Sequence, residues 1–193
     1  MTRVLVTGAT GQIGREVVDQ LRPAGCTVRA LTRNPEGARF PTDVEVVPGD
    51  LAAPDTLDRA LEAVDAIFLV WLGSLDAAPP AIARVAGRVS RIVLLTSPHR
   101  TPPHPFFQQP NGLRIIHAGV EELILQSGVP WTFLRPGPFA LNARNWWVSQ
   151  IAKGNVVRWF HADAETAPVH ERDIAAVAVR ALRDRGHEVK SMC

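Results

Sequence analysis

Glycines at 8, 11 and 14 lie between a β-branched strand, Arg3-Val4-Leu5-Val6, and an apolar helical pattern carried by Ile13, Val17, Val18 and Leu21. This spacing constrains the chain more than any other stretch. Gly8 lets the backbone turn sharply as it leaves the strand. Gly11 has no Cβ, so a pyrophosphate can approach the main chain. Gly14 lets the helix pack closely on the sheet. The free N–H groups and the positive dipole end of that helix then face an anion. A glycine pattern alone is weak, but one placed between strand and helix is specific. The rival reading is a tight strand-to-helix turn with no ligand.

The remaining pattern is an alternation of strands and helices. Strands are expected at 28–31, 44–47, 66–70, 91–95 and 131–134. Helices are expected at 54–61, 77–87, 112–127 and 171–183. Ala66 to Val70 and Arg91 to Leu95 read as strands covered on both faces. Such alternation implies parallel strands joined by right-handed helical crossovers. The expected fold class is therefore α/β, a doubly wound parallel sheet of Rossmann type, with ligands at the carboxyl ends of its strands. Ser97 to Gly112 is a Pro-rich loop on that ligand side, read as a lid or a disordered segment. After the last helix the tail from Gly186 to Cys193 has no clear assignment.

Composition excludes several classes. The 193 residues are 46% hydrophobic and carry a formal net charge of +2, with the basic residues scattered. Direct nucleic-acid binding is not expected. The longest apolar run, Ala66 to Leu72, is too short to cross a bilayer. The strand at the N-terminus leaves no visible signal peptide. Two cysteines, Cys26 and Cys193, offer neither a disulfide framework nor metal-ligand spacing, so a reducing, cytoplasmic setting is expected. His99 and His104 lack converging ligands, so no metal is expected. His161, Asp163 and His170 suggest a hydrolytic triad, but no Gly-x-Ser-x-Gly elbow supplies its nucleophile.

Several motifs in order carry a family resemblance. They are Thr7-Gly8-Ala9-Thr10-Gly11-Gln12-Ile13-Gly14, Thr32-Arg33, Pro48-Gly49-Asp50-Leu51, Ser127-Gly128-Val129-Pro130-Trp131-Thr132 leading to Arg135-Pro136-Gly137-Pro138-Phe139, and Val169-His170-Glu171-Arg172-Asp173-Ile174-Ala175. Over residues 1–185 the chain resembles the atypical short-chain dehydrogenase/reductases. Within them it is similar to the NmrA-like, NAD(P)H-quinone-oxidoreductase-like branch, which includes ergot-alkaloid-type reductases. Members usually continue for several more helices. The resemblance thus implies one NAD(P)-binding domain over 1–193, a substrate lobe beginning within 136–170, and a shortened C-terminus.

The cofactor expectation follows from charge. An NAD-selective site places Asp or Glu at the end of the second strand, whereas this chain has Arg33. A guanidinium grips a 2′-phosphate through paired hydrogen bonds, so NADPH is expected, with NAD as the second candidate. A solvated surface arginine is the bland alternative. Gly8, Thr10, Gly11, Gln12 and Ile13 would hold the pyrophosphate. The resemblance assigns Asp50 and Leu51 to the adenine, although Gly49-Asp50 also reads as a simple turn. Trp71 follows the fourth strand, near the expected nicotinamide ribose. Thr96 with Ser97, and Pro136 with Gly137, would flank the nicotinamide.

Many family members use a tyrosine as proton donor. This chain contains no tyrosine. The resemblance places Leu113 at the tyrosine position, His117 at the lysine position and Ser97 near the family's serine. Histidine titrates near neutrality, so His117 with Ser97 is the candidate acid pair. The bland alternative is a histidine at the edge of an amphipathic helix. Glu121 lies on the same face and could orient His117, yet with Glu122 it reads most simply as a solvated face. Trp146 and Trp147 could stack on a flat substrate or serve as core.

The sequence supports two functions. One is an NADP(H)-dependent reductase of a small electron-poor acceptor such as a quinone or imine. The other is a non-catalytic NAD(P)H-binding redox sensor of the NmrA type. A third reading is a truncated chain whose nicotinamide end is open to water. A small-molecule substrate is expected, with no membrane, and homo-oligomerisation is left open.

Overall fold

A computed structural model of the chain describes residues 1–98, 112–159, 165 and 167–192. Among the described residues seven strands form one sheet: β1 (Arg3–Val6), β2 (Thr27–Thr32), β3 (Glu45–Pro48), β4 (Ala66–Val70), β5 (Arg91–Leu95), β6 (Trp131–Leu134) and β7 (Lys190–Met192). Their order is β3-β2-β1-β4-β5-β6-β7, and every pairing is parallel. The chain builds outward from β1 to β3, then returns to lay β4 against the other side of β1. That reversal leaves a crevice above the carboxyl ends of β1 and β4.

The helices are α1 (Gln12–Leu21), α2 (Asp58–Leu61), α3 (Ala78–Ala86), α4 (Gly112–Ser127), α5 (Ala140–Gly154) and α6 (Glu171–Arg183). Strand residues alternate between two core layers. Val4, Val6, Ala66 and Phe68 pack against α1 and α6, whereas Leu5, Ile67 and Leu69 face the side of α2, α3 and α4. With side chains buried on both faces, the central β4 reads as a continuous apolar run, as does β1 after Arg3. Each such side chain contributes roughly 1.5–3 kcal/mol of burial.

Charged strand residues also have structural work. Buried Arg29 of β2 donates to Glu45 at 2.8 Å and to the carbonyls of Arg59, Ala60 and Glu62, which closes the end of α2. Arg91 of β5 does the same for α6, through the carbonyls of Ala181 and Asp184 at 2.7 Å. Both arginines sit where a carbonyl-rich helix end would otherwise lose partners.

The structure differs from the sequence expectations in four places. The segment 54–61 is a 3-10 turn over Pro54–Leu57 followed by a single α turn. The unassigned tail supplies β7, which extends the sheet beside β6. A helix not foreseen, α5, covers Ala140–Gly154 and has none of its residues buried. Within it Trp146 stacks on Trp159 at 5.4 Å, and Trp147 meets Trp159 edge-on at 6.1 Å, so these tryptophans pack on one another. Fourth, Glu121 is buried rather than solvated.

Entry into β7 is strained. Val189 holds φ +59°, the left-handed region, while its N–H donates to the Trp131 carbonyl at 2.6 Å. A β-branched residue pays roughly 1–2 kcal/mol there, and glycine in its place loses about 0.5–1 kcal/mol through its freer unfolded state. Val189→Gly is therefore expected to raise stability by about 1 kcal/mol, read as a melting temperature roughly 2–4 °C higher.

Candidate functional site

The crevice at the strand reversal is a cleft of about 800 Å³. Its floor is the turn between β1 and α1. Gly8 adopts φ +59°, and the Gly11 N–H closes the turn on the Gly8 carbonyl at 2.9 Å. The intrahelical ladder begins with Arg15 N–H to the Gly11 carbonyl at 3.0 Å. The N–H groups of Gln12, Ile13 and Gly14 thus precede the ladder. The N-cap Gly11 offers no side-chain acceptor and the first turn has no carboxylate. A Cβ on Gly14 would lie on the Gly8 carbonyl, 2.7 Å from its carbon and 2.9 Å from the Ala9 Cα. That contact sets how deeply the helix start presses into the turn.

Thr7, named in the motif without a role, ties the two strands at the reversal. Its buried hydroxyl donates to the Phe68 carbonyl at 3.2 Å and accepts from the Val70 N–H at 2.8 Å. The paired strand ends therefore hold the cleft floor rigid.

Arg33 and Asp50 lie at one end of the cleft, above β2 and β3. Arg33 is exposed, and among the described residues its guanidinium has no carboxylate partner. Asn34 beside it accepts from the Gly37 N–H at 3.1 Å, which shapes the loop after β2. Asp50 accepts from the Ala52 N–H at 2.9 Å, and its own N–H donates to the Thr56 hydroxyl at 2.9 Å. The turn expected at Gly49-Asp50 and a cleft position thus coexist. Leu51 also lines the cleft.

At the other end lie Trp71, Thr96, His117 and Phe139. The Trp71 side chain is fully buried in the core, and its Nε1 donates to the Gly73 carbonyl at 3.0 Å. Only its backbone and the loop after it face a ligand. Thr96 is 4% exposed, and among the described residues its buried Oγ1 has no hydrogen-bond partner. A buried hydroxyl without a partner is uncommon and marks a place where a further polar group is wanted. Ser97 Oγ and His117 Nδ1 meet at 2.7 Å, which links β5 to α4. Leu72 and Leu113, both exposed, add an apolar mouth.

The expected residues therefore converge, with one exception. Gly8, Thr10, Gly11, Gln12, Ile13, Arg33, Asp50, Leu51, Trp71, Thr96 and His117 line one cleft, and Ser97 touches it through His117. Pro136 and Gly137 are absent from its walls. The segment after them is bridged to Val169, whose N–H donates to the Pro138 carbonyl while its own carbonyl accepts from the Ala140 N–H, both at 2.9 Å. Phe139 reaches the cleft in their place.

The hydrolytic alternative has a structural answer at His170. This residue caps α6, its Nδ1 accepting from the Arg172 N–H at 3.1 Å. His99, His104, His161, Asp163 and most of the Pro-rich loop lie outside the described residues. Among the described residues no cluster of three or more His, Cys, Asp or Glu could hold a metal. Also among them, no helix is long and apolar enough to cross a membrane.

A family model described as NAD(P)H-binding matches residues 8–185. The chain is 41% identical to a (4-alkanoyl-5-oxo-2,5-dihydrofuran-3-yl)methyl phosphate reductase of Streptomyces griseus subsp. griseus, over 96% of this chain and 64% of the relative. It is 35% identical to an NAD(P)H azoreductase of Xenophilus azovorans, over 96% of this chain and 65% of the relative. Among solved structures it matches an Escherichia coli NADPH-dependent quinone oxidoreductase in complex with NADPH, with a TM-score of 0.78 and 27% identity, over 98% of this chain and 68% of that one. The chain thus spans about 65% of the length of the two curated relatives.

Proposed function

The chain belongs to the NAD(P)H-binding family, and on that premise we propose that it is an NADPH-dependent reductase of a small, conjugated, electron-poor acceptor. The single observation that carries the reading is convergence. A glycine turn with open amides, an exposed guanidinium and a Ser-His pair share one cleft. A dinucleotide fits these residues. A Cβ at Gly14 would strike the Gly8 carbonyl group of the turn, so the helix start that presents the open amides depends on glycine, and among the described residues the Thr96 hydroxyl is without a partner at the opposite end.

In this reading the Gly11, Gln12 and Ile13 amides, with Gly8 and Thr10 around them, bind the pyrophosphate at the helix start. Arg33 takes the 2′-phosphate, and Asp50 and Leu51 take the adenine. Thr96 and the backbone at Trp71 orient the nicotinamide end, and Pro136 and Gly137 support it from behind Phe139. The bound cofactor supplies the hydride.

The acceptor class follows from the acid available. Hydride addition to an isolated ketone leaves its charge on one oxygen, which needs a proton donor placed on that atom, and the chain has no tyrosine to be one. A quinone, an azo or imine nitrogen, or an unsaturated lactone spreads the added charge over several atoms and depends less on a donor fixed at one oxygen. His117 supplies that proton while Ser97 holds its Nδ1. Leu72, Leu113 and Phe139 give the acceptor an apolar seat and exclude water. The reductase names of the relatives support the same class.

The test combines NADPH oxidation against quinones, azo dyes and unsaturated lactones with equilibrium binding of NADPH and NADP⁺. Turnover with at least one conjugated acceptor is expected. Tight binding without any turnover would favour the redox-sensor reading, for which the missing tyrosine speaks. His117→Gln is expected to lower kcat about 100-fold, the low end for a lost general acid. NADPH affinity should change by no more than about two-fold, because the phosphate sites lie on other strands. An unchanged kcat would make water the proton donor.

A further inference from the structure

The carboxyl end of β6 holds a buried ion pair just outside the cleft. Glu121 and Arg135 are 2% and 9% exposed. Arg135 Nε donates to Glu121 Oε1 at 3.0 Å, and Nη2 donates to Oε2. The guanidinium also lies 5.6 Å from the centre of the Phe133 ring. An apolar pair of similar volume would often serve stability as well, so stability is a poor account of this arrangement.

Its location offers a better account. Glu121 follows His117 by one turn on the same face of α4. Arg135 opens the segment that delivers Phe139 to the cleft, and its N–H donates to the Met192 carbonyl of β7 at 2.8 Å. The buried apolar contacts of α4, Val120 and Ile124, set its distance from the sheet. The burial of apolar surface is non-directional. A two-bond fork between planar groups specifies both place and orientation.

We propose that Glu121 and Arg135 are positioning residues that lock α4 along its axis against β6, so that His117 reaches Ser97. The inference rests on the reductase reading for its purpose, but the geometry it asserts can be read without turnover.

The experiment uses the full chain with ¹⁵N-labelled histidine. The ring signature of His117 is recorded in the wild type, Ser97→Ala, Arg135→Lys and the double variant Glu121→Met with Arg135→Met. Arg135→Lys keeps the charge and removes the fork. The double variant removes both charges of the pair together, so it carries the comparison should the lysine variant not fold. Both are expected to move the His117 signature to that of Ser97→Ala. With 1,4-naphthoquinone, kcat should fall about 10- to 100-fold, as small misplacements do, with the KM for NADPH unchanged. A His117 signature unmoved in both variants overturns the proposal, as does one insensitive to Ser97→Ala. A melting temperature lowered at constant kcat also overturns it. A wild type that binds NADPH and reduces nothing sinks the reductase reading instead, and the ring signatures then judge the pair alone.

Discussion

Gly14→Ala is expected to abolish nucleotide binding and to destabilise the chain by about 3 kcal/mol, at the upper end for an overpacked backbone contact. The added methyl would meet the Gly8 carbonyl group and the Ala9 Cα at 2.9 Å. Both are main-chain atoms of the turn, so neither a rotamer change nor a flexible side chain can relieve the clash. The helix start must lift off, which moves the Gln12 and Ile13 amides away from the cleft floor. For a chain of this length, a loss of that size lowers the melting temperature by roughly 6–12 °C. Thermal melts and NADPH titrations of the two proteins check both effects. Gly11→Ala provides the contrast. A Cβ there would lie 3.2 Å from the Gly8 carbonyl oxygen, a tight contact that a small shift relieves. It should keep the fold and weaken binding alone. Equal melting and equal affinity for Gly14→Ala would mean that the glycine turn is not the cleft floor.

Arg33→Ala is expected to weaken NADPH about 10- to 50-fold while leaving NADH within about two-fold. A charge-assisted hydrogen bond to phosphate is worth roughly 1.5–3 kcal/mol. The exposure of Arg33 argues for the lower half of that range, and salt should narrow the difference further. The arginine has no carboxylate partner among the described residues, so its removal leaves no buried charge and little change in stability. Fluorescence titrations of both nucleotides at low and high salt measure the effect. Equal weakening of NADPH and NADH would overturn the 2′-phosphate assignment.

Much of the site was legible in the sequence because its residues lie at strand ends, and the doubly wound topology sends strand ends to one edge. The glycine turn, Arg33, Asp50 and Thr96 each follow a strand that local patterning identifies. Glu121 shows where legibility stopped. Two adjacent glutamates on a helix read as a solvated face, and only the packing of α4 on β6 delivers Arg135, fourteen positions along, to the first of them. Pro136 and Gly137 are expected by motif beside the nicotinamide; they do not line the cleft, which Phe139 of the same segment does, next to the backbone bridge from Pro138 to Val169. The tail gave no strand signal in its three residues because β7 is defined by its pairing with β6.

By itself the sequence determined the strand and helix alternation, the glycine turn and the positive charge after β2, since all of these are encoded in short spacings and residue types. Tertiary structure alone decided that Glu121 is buried against Arg135, that Ser97 and His117 meet at 2.7 Å, and that the tail completes the sheet. Those outcomes depend on contacts between residues far apart in the chain, and no local pattern carries the free energy of bringing them together.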